Sequence, residues 1–162
     1  MKMTTRLINE LKNNWIRSNI NLESPATDQE LISFQAKNNV SFPDDLIKYF
    51  SELNGSSVQY DDKLFKFYSL LQFVSIENEL ASWAGIPDYT NIVRSMEFHE
   101  NCFVFSDYFF RSSAYAIRLY EKKSNVNEIY VIIGDEYRLI ANSLSEFVDL
   151  YLKDASELYL TD

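Results

Sequence analysis

The stretch "NNVSFPDDLIKYFSELNGSS", residues 38–57, decides the fold because it carries structural signals at both ends. Pro43 suits the first helical position, since its φ is already near the helical value and its missing N–H would have no partner there. Asp44 and Asp45 place negative charge at the positive end of the helix dipole. Apolar residues then recur at spacings of three and four: Leu46, Ile47, Phe50 and Leu53. Asn54–Gly55 tolerates positive φ, so a short helix ends there.

A second helix is indicated immediately upstream. Thr27 and Glu30 have the T-x-x-E spacing of a capping box, which opens a helix that carries Leu31 and Phe34. Asn39 is expected to end it in the left-handed conformation. The two signals together predict a helix, a tight turn and a second helix.

The remaining segments predict one more helix at each end and strands between them. Thr4 or Thr5 caps a first helix with an apolar face made of Leu7, Ile8, Leu11, Trp15 and Ile16. Residues 58–74 are typical of strands with Asp61–Asp62 in a turn, and Ser75 caps a short helix that Gly85 ends. Four strands follow: "CFVF", "AYAIRLY", "EIYVII" and "YRLIA". Ser143 and Glu146 form a capping box for a closing helix. This is an α+β order, with N-terminal helices on a mainly antiparallel sheet.

Composition bounds the class of protein. The chain has 162 residues, of which 46% are hydrophobic and 24% charged, so we expect a single globular domain over residues 1–162. One cysteine, Cys102, excludes an internal disulfide framework and fits a reducing compartment. No signal peptide or long apolar run is visible, so the sequence predicts a soluble, cytoplasmic protein with no membrane association. A monomer is favoured.

Charge is unevenly distributed along the chain. Residues 1–22 hold four basic residues and one acidic residue, which gives a net charge of +3. Because the whole chain has a net charge of −9, the remaining residues have a net charge of −12. Such a field repels nucleic acid, which argues against DNA or RNA as a partner, and it attracts basic proteins. The alternative is that the acidity only keeps the protein soluble.

The stretch from residue 23 to residue 57 resembles the start of SUKH superfamily domains, which include the yeast cell-wall-assembly regulators. Their pattern is matched here by Pro25, Ala26, Thr27, Glu30, Val40, Pro43, Asp44, Asn54 and Gly55. "AYAIRLY", "EIYVIIGDE" and "LIANSLSEFVDLYL" are similar to the later strands and closing helix of the family. The chain departs from the family at Arg118, where an aspartate is common, and at "SDYFFRSS", which replaces a glycine-rich turn.

The resemblance implies a binding module and not an enzyme. Bacterial members look like immunity proteins, which bind and neutralise toxins of polymorphic or contact-dependent systems, many of them nucleases. We therefore predict an immunity protein whose partner is a cognate, basic toxin. The alternative is a regulatory scaffold of the cell-wall-assembly type with a client that is not a toxin.

No catalytic residue, cofactor or metal site is predicted. His99-x-x-Cys102 supplies two potential zinc ligands, fewer than a zinc site needs. Asp88 with Glu121-x-Lys123 loosely matches a metal-dependent nuclease pattern, but the last two residues fall in a polar hairpin loop, where charged residues are ordinary.

Two segments combine aromatic and charged residues, as protein interfaces do. They are "YDDK" at residues 60–63 and "SDYFFRSS" at residues 106–113. Three adjacent aromatic residues cannot all face one side of a strand, so at least one of them is expected to be exposed. The predicted protein-binding residues are Tyr60, Asp61, Asp62, Asp107, Tyr108, Phe109 and Arg111. The alternative places two of the aromatic rings in the core and the acids in solvated turns.

Overall fold

A computed structural model describes residues 4–83, 89, 92 and 95–159. Its α-helices are α1 (Thr5–Arg17), α2 (Asp28–Asn38), α3 (Asp44–Glu52), α4 (Ile76–Leu80) and α5 (Leu144–Leu152). Its strands are β1 (Phe65–Phe67), β2 (Val74–Ser75), β3 (Cys102–Tyr108), β4 (Ser113–Arg118), β5 (Ile129–Ile133) and β6 (Glu136–Ala141). Short 3-10 helices cover His99–Asn101 and Ser156–Leu158. The α+β class is confirmed.

The sheet is antiparallel at every described pairing, in the order β1-β3-β4-β5-β6, with β2 also paired to β3. β1 and β2 divide one edge of β3 between them. β1 pairs with the end at Tyr108, and β2 pairs with Val104 and Phe103. β1 and β2 therefore lie at opposite ends of the same edge of β3.

The two faces of the sheet bury separate clusters. Phe103 and Phe105 of β3 point into the larger cluster, which includes residues of α1, α2, α3 and α5. Cys102 and Val104 alternate onto the other face, where they pack with Ile76 of α4 and its neighbours. This period of two is what a strand buried on both faces requires.

Most local signals for helix ends are confirmed. Thr27 accepts the N–H of Glu30 while the Glu30 carboxylate accepts the N–H of Thr27, which completes the capping box. Thr4 and Ser143 also cap their helices through the side chain. Asn39 ends α2 with φ of 52° and ψ of 47°. Each signal involves residues only a few positions apart, so tertiary packing does not override it.

Four details differ from the sequence prediction. Pro43 is the N-cap of α3 with ψ of 160°, so the helix begins one residue later, at Asp44. The Glu146 carboxylate accepts the N–H of Asn142 and not that of Ser143, so the second capping box is only half formed. Ile16 is 51% exposed because it lies beside the buried stripe of α1. α4 ends at Leu80, earlier than predicted, and Gly85, its predicted end, lies outside the described residues.

Among the helices described, none combines the length and the apolar character needed to cross a membrane.

Candidate functional site

The tip of the β3–β4 hairpin has an unusual backbone. Phe109, Phe110 and Arg111 have φ of 48°, 52° and 68°, so three consecutive residues other than glycine are left-handed. This conformation costs about 1 kcal/mol or more for such residues. The tip is also apolar and open, since Phe109 is 49% and Phe110 68% exposed. The expectation of an exposed aromatic residue in this segment is confirmed.

Hydrogen bonds from both sides hold this strained tip. The Phe109 N–H donates to Leu64 O, 2.8 Å away, which ties the tip to the residue before β1. The Ser112 N–H donates to Tyr108 O at 2.9 Å, and the Ser112 hydroxyl donates to Phe109 O at 2.7 Å. The Arg111 N–H donates to the Asp107 carboxylate at 3.2 Å. The surrounding structure thus fixes a conformation that these residues would not adopt alone.

Asp107 is the anchor beneath the tip and is fully buried. Its Oδ1 accepts a hydrogen bond from the Tyr60 hydroxyl at 2.5 Å. Its Oδ2 lies 2.8 Å from the Tyr68 hydroxyl and 3.6 Å from Lys66 Nζ. With the Arg111 N–H, these groups compensate a charge that burial would otherwise disfavour.

Tyr60 and Tyr68 keep their protons at neutral pH and so act as donors. Burial, followed by Asp107, raises the pKa of both hydroxyls well above the ordinary value for tyrosine. The Tyr68 hydroxyl also lies 2.9 Å from Glu79 Oε1. Because a tyrosine has one proton to donate, the two carboxylates share it.

Rings and cations extend the anchor to the surface. The ring of Tyr60 lies 4.7 Å from that of the exposed Phe110, and Lys66 Nζ lies 5.2 Å above the Tyr60 ring. The Arg111 guanidinium lies 5.7 Å from the Trp83 ring. The result is a surface of aromatic rings and two cations over one buried carboxylate.

The structure brings some of the seven predicted residues together and separates others. Tyr60, Asp107 and Arg111 form one network with the hairpin tip. Tyr108 is half-buried and packs against Phe65 at 5.1 Å, so it supports the tip from within. Asp62 is exposed. Protein binding by these residues remains a prediction.

The burial of two carboxylates corrects the view that the acids lie in solvated turns. Asp61 does start a turn, since the Leu64 N–H donates to its carbonyl at 2.9 Å, but it is only 3% exposed. Its carboxylate accepts the N–H groups of Lys63 and Phe65 and the hydroxyl of Tyr151. Asp61 and Asp107 therefore shape the surface from below and do not present charge to a partner.

Sequence reasoning missed Lys66 and Tyr68, and it placed Phe110 outside the set of seven. Lys66 and Tyr68 flank Phe67 in an apolar stretch, and period-two alternation in β1 would put Lys66 and Tyr68 on the face opposite Phe67. This alternation could have been used to assign Lys66 and Tyr68 to the candidate site. The exposure of Phe110 depends on the left-handed turn, and no residue type in the segment predicts such a turn.

The described residues hold no group of three or more acidic, histidine or cysteine side chains placed to bind a metal ion. Cys102 is fully buried, and burial raises the pKa of its thiol to about 12, so it stays protonated at neutral pH. Lys123 of the β4–β5 loop forms an ion pair with Asp44, and Asp88 lies outside the described residues.

Comparison with known protein families gives a match over most of the chain. The family model described as SMI1 / KNR4 family (SUKH-1) matches residues 25–150, which is more than half of the chain. These residues run from the segment before α2 into α5 and include the whole hairpin site. No curated protein matches the sequence.

Proposed function

Because the chain belongs to the SMI1 / KNR4 family (SUKH-1), we propose that it is a non-enzymatic protein-binding domain, more specifically a cytoplasmic bacterial immunity protein. In this proposal it binds a cognate toxin, neutralises it, and uses the β3–β4 hairpin tip as the centre of the interface. The partner is basic, and the protein acts as one domain.

The observation that carries the proposal is the strained, exposed tip formed by Phe109 and Phe110. A backbone conformation that is unfavourable for these residues is maintained while about half of the Phe109 side chain and most of the Phe110 side chain stay exposed, so the strain is offset by little burial of apolar area. Strain of this kind is found at binding and catalytic sites, where it preorganises the contacting groups. Rigid aromatic side chains are the usual energetic centres of protein interfaces.

Charge supports the choice of a basic partner. The −12 carried outside residues 1–22 would steer a cationic protein toward this chain and raise the association rate. Nucleases carry positive surfaces that attract phosphates, so an acidic inhibitor is suited to block them.

The test measures binding to the C-terminal domain of a toxin encoded beside this gene, by surface plasmon resonance. Phe109→Asn and Phe110→Asn are the informative variants, because asparagine tolerates the left-handed conformation but lacks the ring. We expect each to increase the dissociation rate at least about tenfold. Leu139→Asn on β6, where the native side chain is 50% exposed, is the matched control and should have no effect.

Charge is tested separately. Asp62→Lys should slow association and weaken its salt dependence, since Asp62 is exposed. Asp61 is unsuitable for this purpose because it is buried, so its reversal would test folding. Tight binding that both asparagine variants leave unchanged would remove the hairpin from the interface. Failure to bind or protect against the neighbouring toxin would exclude the immunity role and leave the regulatory-scaffold alternative.

A further inference from the structure

A groove runs along α2 on a part of the surface that the hairpin site does not use. Two cavities of about 720 and 590 Å³ share Phe34, Leu70 and Leu71, so they adjoin, and we call the two together the α2 groove. One wall is the face of α2 that carries Gln29, Ser33 and Lys37, at successive spacings of four. The other wall is the segment between β1 and β2.

The floor of the α2 groove is aromatic and packs on the main core. The ring of Phe34 lies 5.4 Å from Phe73 and 5.7 Å from Phe103, and both of these belong to the main core. At the rim, Leu71 is 93% and Val58 is 73% exposed. These are the two most exposed large apolar side chains in the described part of the chain. An apolar groove with exposed apolar side chains at its rim marks an interaction surface.

The charges around the groove select the partner. Glu23 and Glu30 line one cavity, Glu77 and Glu100 line the other, and the basic residue Lys37 also lines the second cavity. None of these five side chains takes part in the ion pairs formed within the described residues. The rim thus carries a net charge of −3 outside these ion pairs, although the Glu30 carboxylate also accepts the N–H of Thr27.

We propose that the α2 groove binds a short basic segment of a protein partner. One or two apolar side chains of this segment lie on Phe34 and against Leu71, and flanking lysine or arginine side chains meet the rim carboxylates. The wall from Gln29 to Asn38 rises about 1.5 Å per residue, so the α2 groove accommodates roughly four residues of extended chain.

This site is separate from the hairpin tip. Phe103 lines the groove near the start of β3, whereas Tyr108 ends the strand at the tip, about 16 Å away at 3.3 Å per residue. The proposal does not rest on the immunity role, because the groove chemistry would suit a basic segment of a toxin or of a regulatory client equally.

The experiment selects ligands without assuming the partner. The full chain is immobilised, a display library of short random peptides is selected against it, and enriched peptides are measured in solution by fluorescence anisotropy. We expect enrichment of peptides that combine lysine or arginine with one or two apolar residues. Leu71→Ser should weaken their binding about tenfold. Leu139→Ser on β6 should not change it.

Two double charge reversals distinguish the effect of the rim carboxylates on peptide binding from the effect of the net charge of the protein. Glu77→Lys with Glu100→Lys at the groove and Asp135→Lys with Glu136→Lys at the β5–β6 turn change the net charge equally, and all four native side chains are exposed. Only the first pair should weaken peptide binding about tenfold or more at physiological salt.

Equal loss with both pairs would mean nonspecific attraction and would overturn the proposal. Failure to enrich basic apolar peptides, or enriched peptides whose binding is unchanged by Leu71→Ser, would overturn it as well. Light scattering of the wild-type protein and of Leu71→Ser measures the oligomeric state, and so tests whether a second copy of this chain occupies the groove. A dimer that dissociates in the variant would assign the groove to a second copy of this chain instead.

Discussion

The hydroxyl of Tyr60 lies 2.5 Å from Asp107 Oδ1, and this hydrogen bond joins the segment before β1 to the end of β3. The ring of the same tyrosine lies 4.7 Å from the exposed ring of Phe110. One side chain therefore contacts both the buried anchor and the surface proposed for binding. The position of the hairpin tip depends on a network that lies under it.

Asp107→Ala should lower the free energy of unfolding by about 3–5 kcal/mol. The substitution removes the acceptor of Tyr60 and the Arg111 N–H and leaves Lys66 Nζ, 3.6 Å from Oδ2, without its counterion. Urea denaturation measures the change. The control is Asp62→Ala, which removes an exposed carboxylate. Its free energy of unfolding should stay within about 0.5 kcal/mol of wild type. Equal stability of the two variants would contradict the anchoring role of Asp107.

Phe110→Gly should be more stable than Phe110→Ala by about 1 kcal/mol, because glycine, unlike alanine, adopts a φ near 52° without strain. The order should reverse at Ile32, which is 59% exposed within α2, where glycine is the poorer helix former. Thermal or urea unfolding of the four variants checks both orders. An alanine variant at position 110 that is the more stable of its pair would mean that the hairpin tip is not strained.

The helix ends could be predicted from sequence because their causes are local. Thr27 and Glu30 satisfy one another across three residues, and Asn39 needs only its own tolerance for positive φ. The same holds for the order of strands after Cys102, where alternation and turn residues lie within each segment. The exact first residue of a helix is harder to predict. Pro43 suits both the N-cap and the first helical position, so the sequence does not distinguish the two.

The candidate site could be predicted only in part, because its causes lie far apart in sequence. Asp107 is 47 residues from Tyr60 and 39 from Tyr68, so its burial follows from the pairing of β1 with β3. Asp61 likewise meets Tyr151 of α5 across 90 residues. A carboxylate in a turn signal is solvated by default, and only tertiary contacts reveal the exceptions.

Gly55→Ala should destabilise the protein much more than Asn39→Ala. Both positions have positive φ, 90° for Gly55 and 52° for Asn39, so each alanine carries a left-handed strain of about 1 kcal/mol. At Gly55 a Cβ would also lie 2.6 Å from Ser69 N and 2.8 Å from the carbonyl carbon of Tyr68. Overpacking against backbone adds about 1–3 kcal/mol. Calorimetric unfolding measures both variants, and similar losses at the two positions would refute the close approach.

Asp61 should make stability depend on pH in an uncommon direction for an aspartate. Burial raises its pKa above 3.8, and this influence exceeds the opposing hydrogen bond from Tyr151 and the N–H groups of Phe65 and Lys63. The folded protein therefore holds the Asp61 proton more tightly than the unfolded chain does. The corresponding stability is fully present below pH 3.8 and is lost as pH rises through the raised pKa.

The informative quantity is the free energy of unfolding of wild type minus that of Asp61→Asn, measured in urea at a series of pH values. This difference should increase as pH falls from 7 toward 3.8, because the amide does not titrate. Tyr151→Phe removes a hydrogen bond that lowers the pKa of Asp61, so in that background the increase should begin at higher pH. A difference that stays constant, or that shrinks on acidification, would mean that hydrogen bonding outweighs burial at this carboxylate.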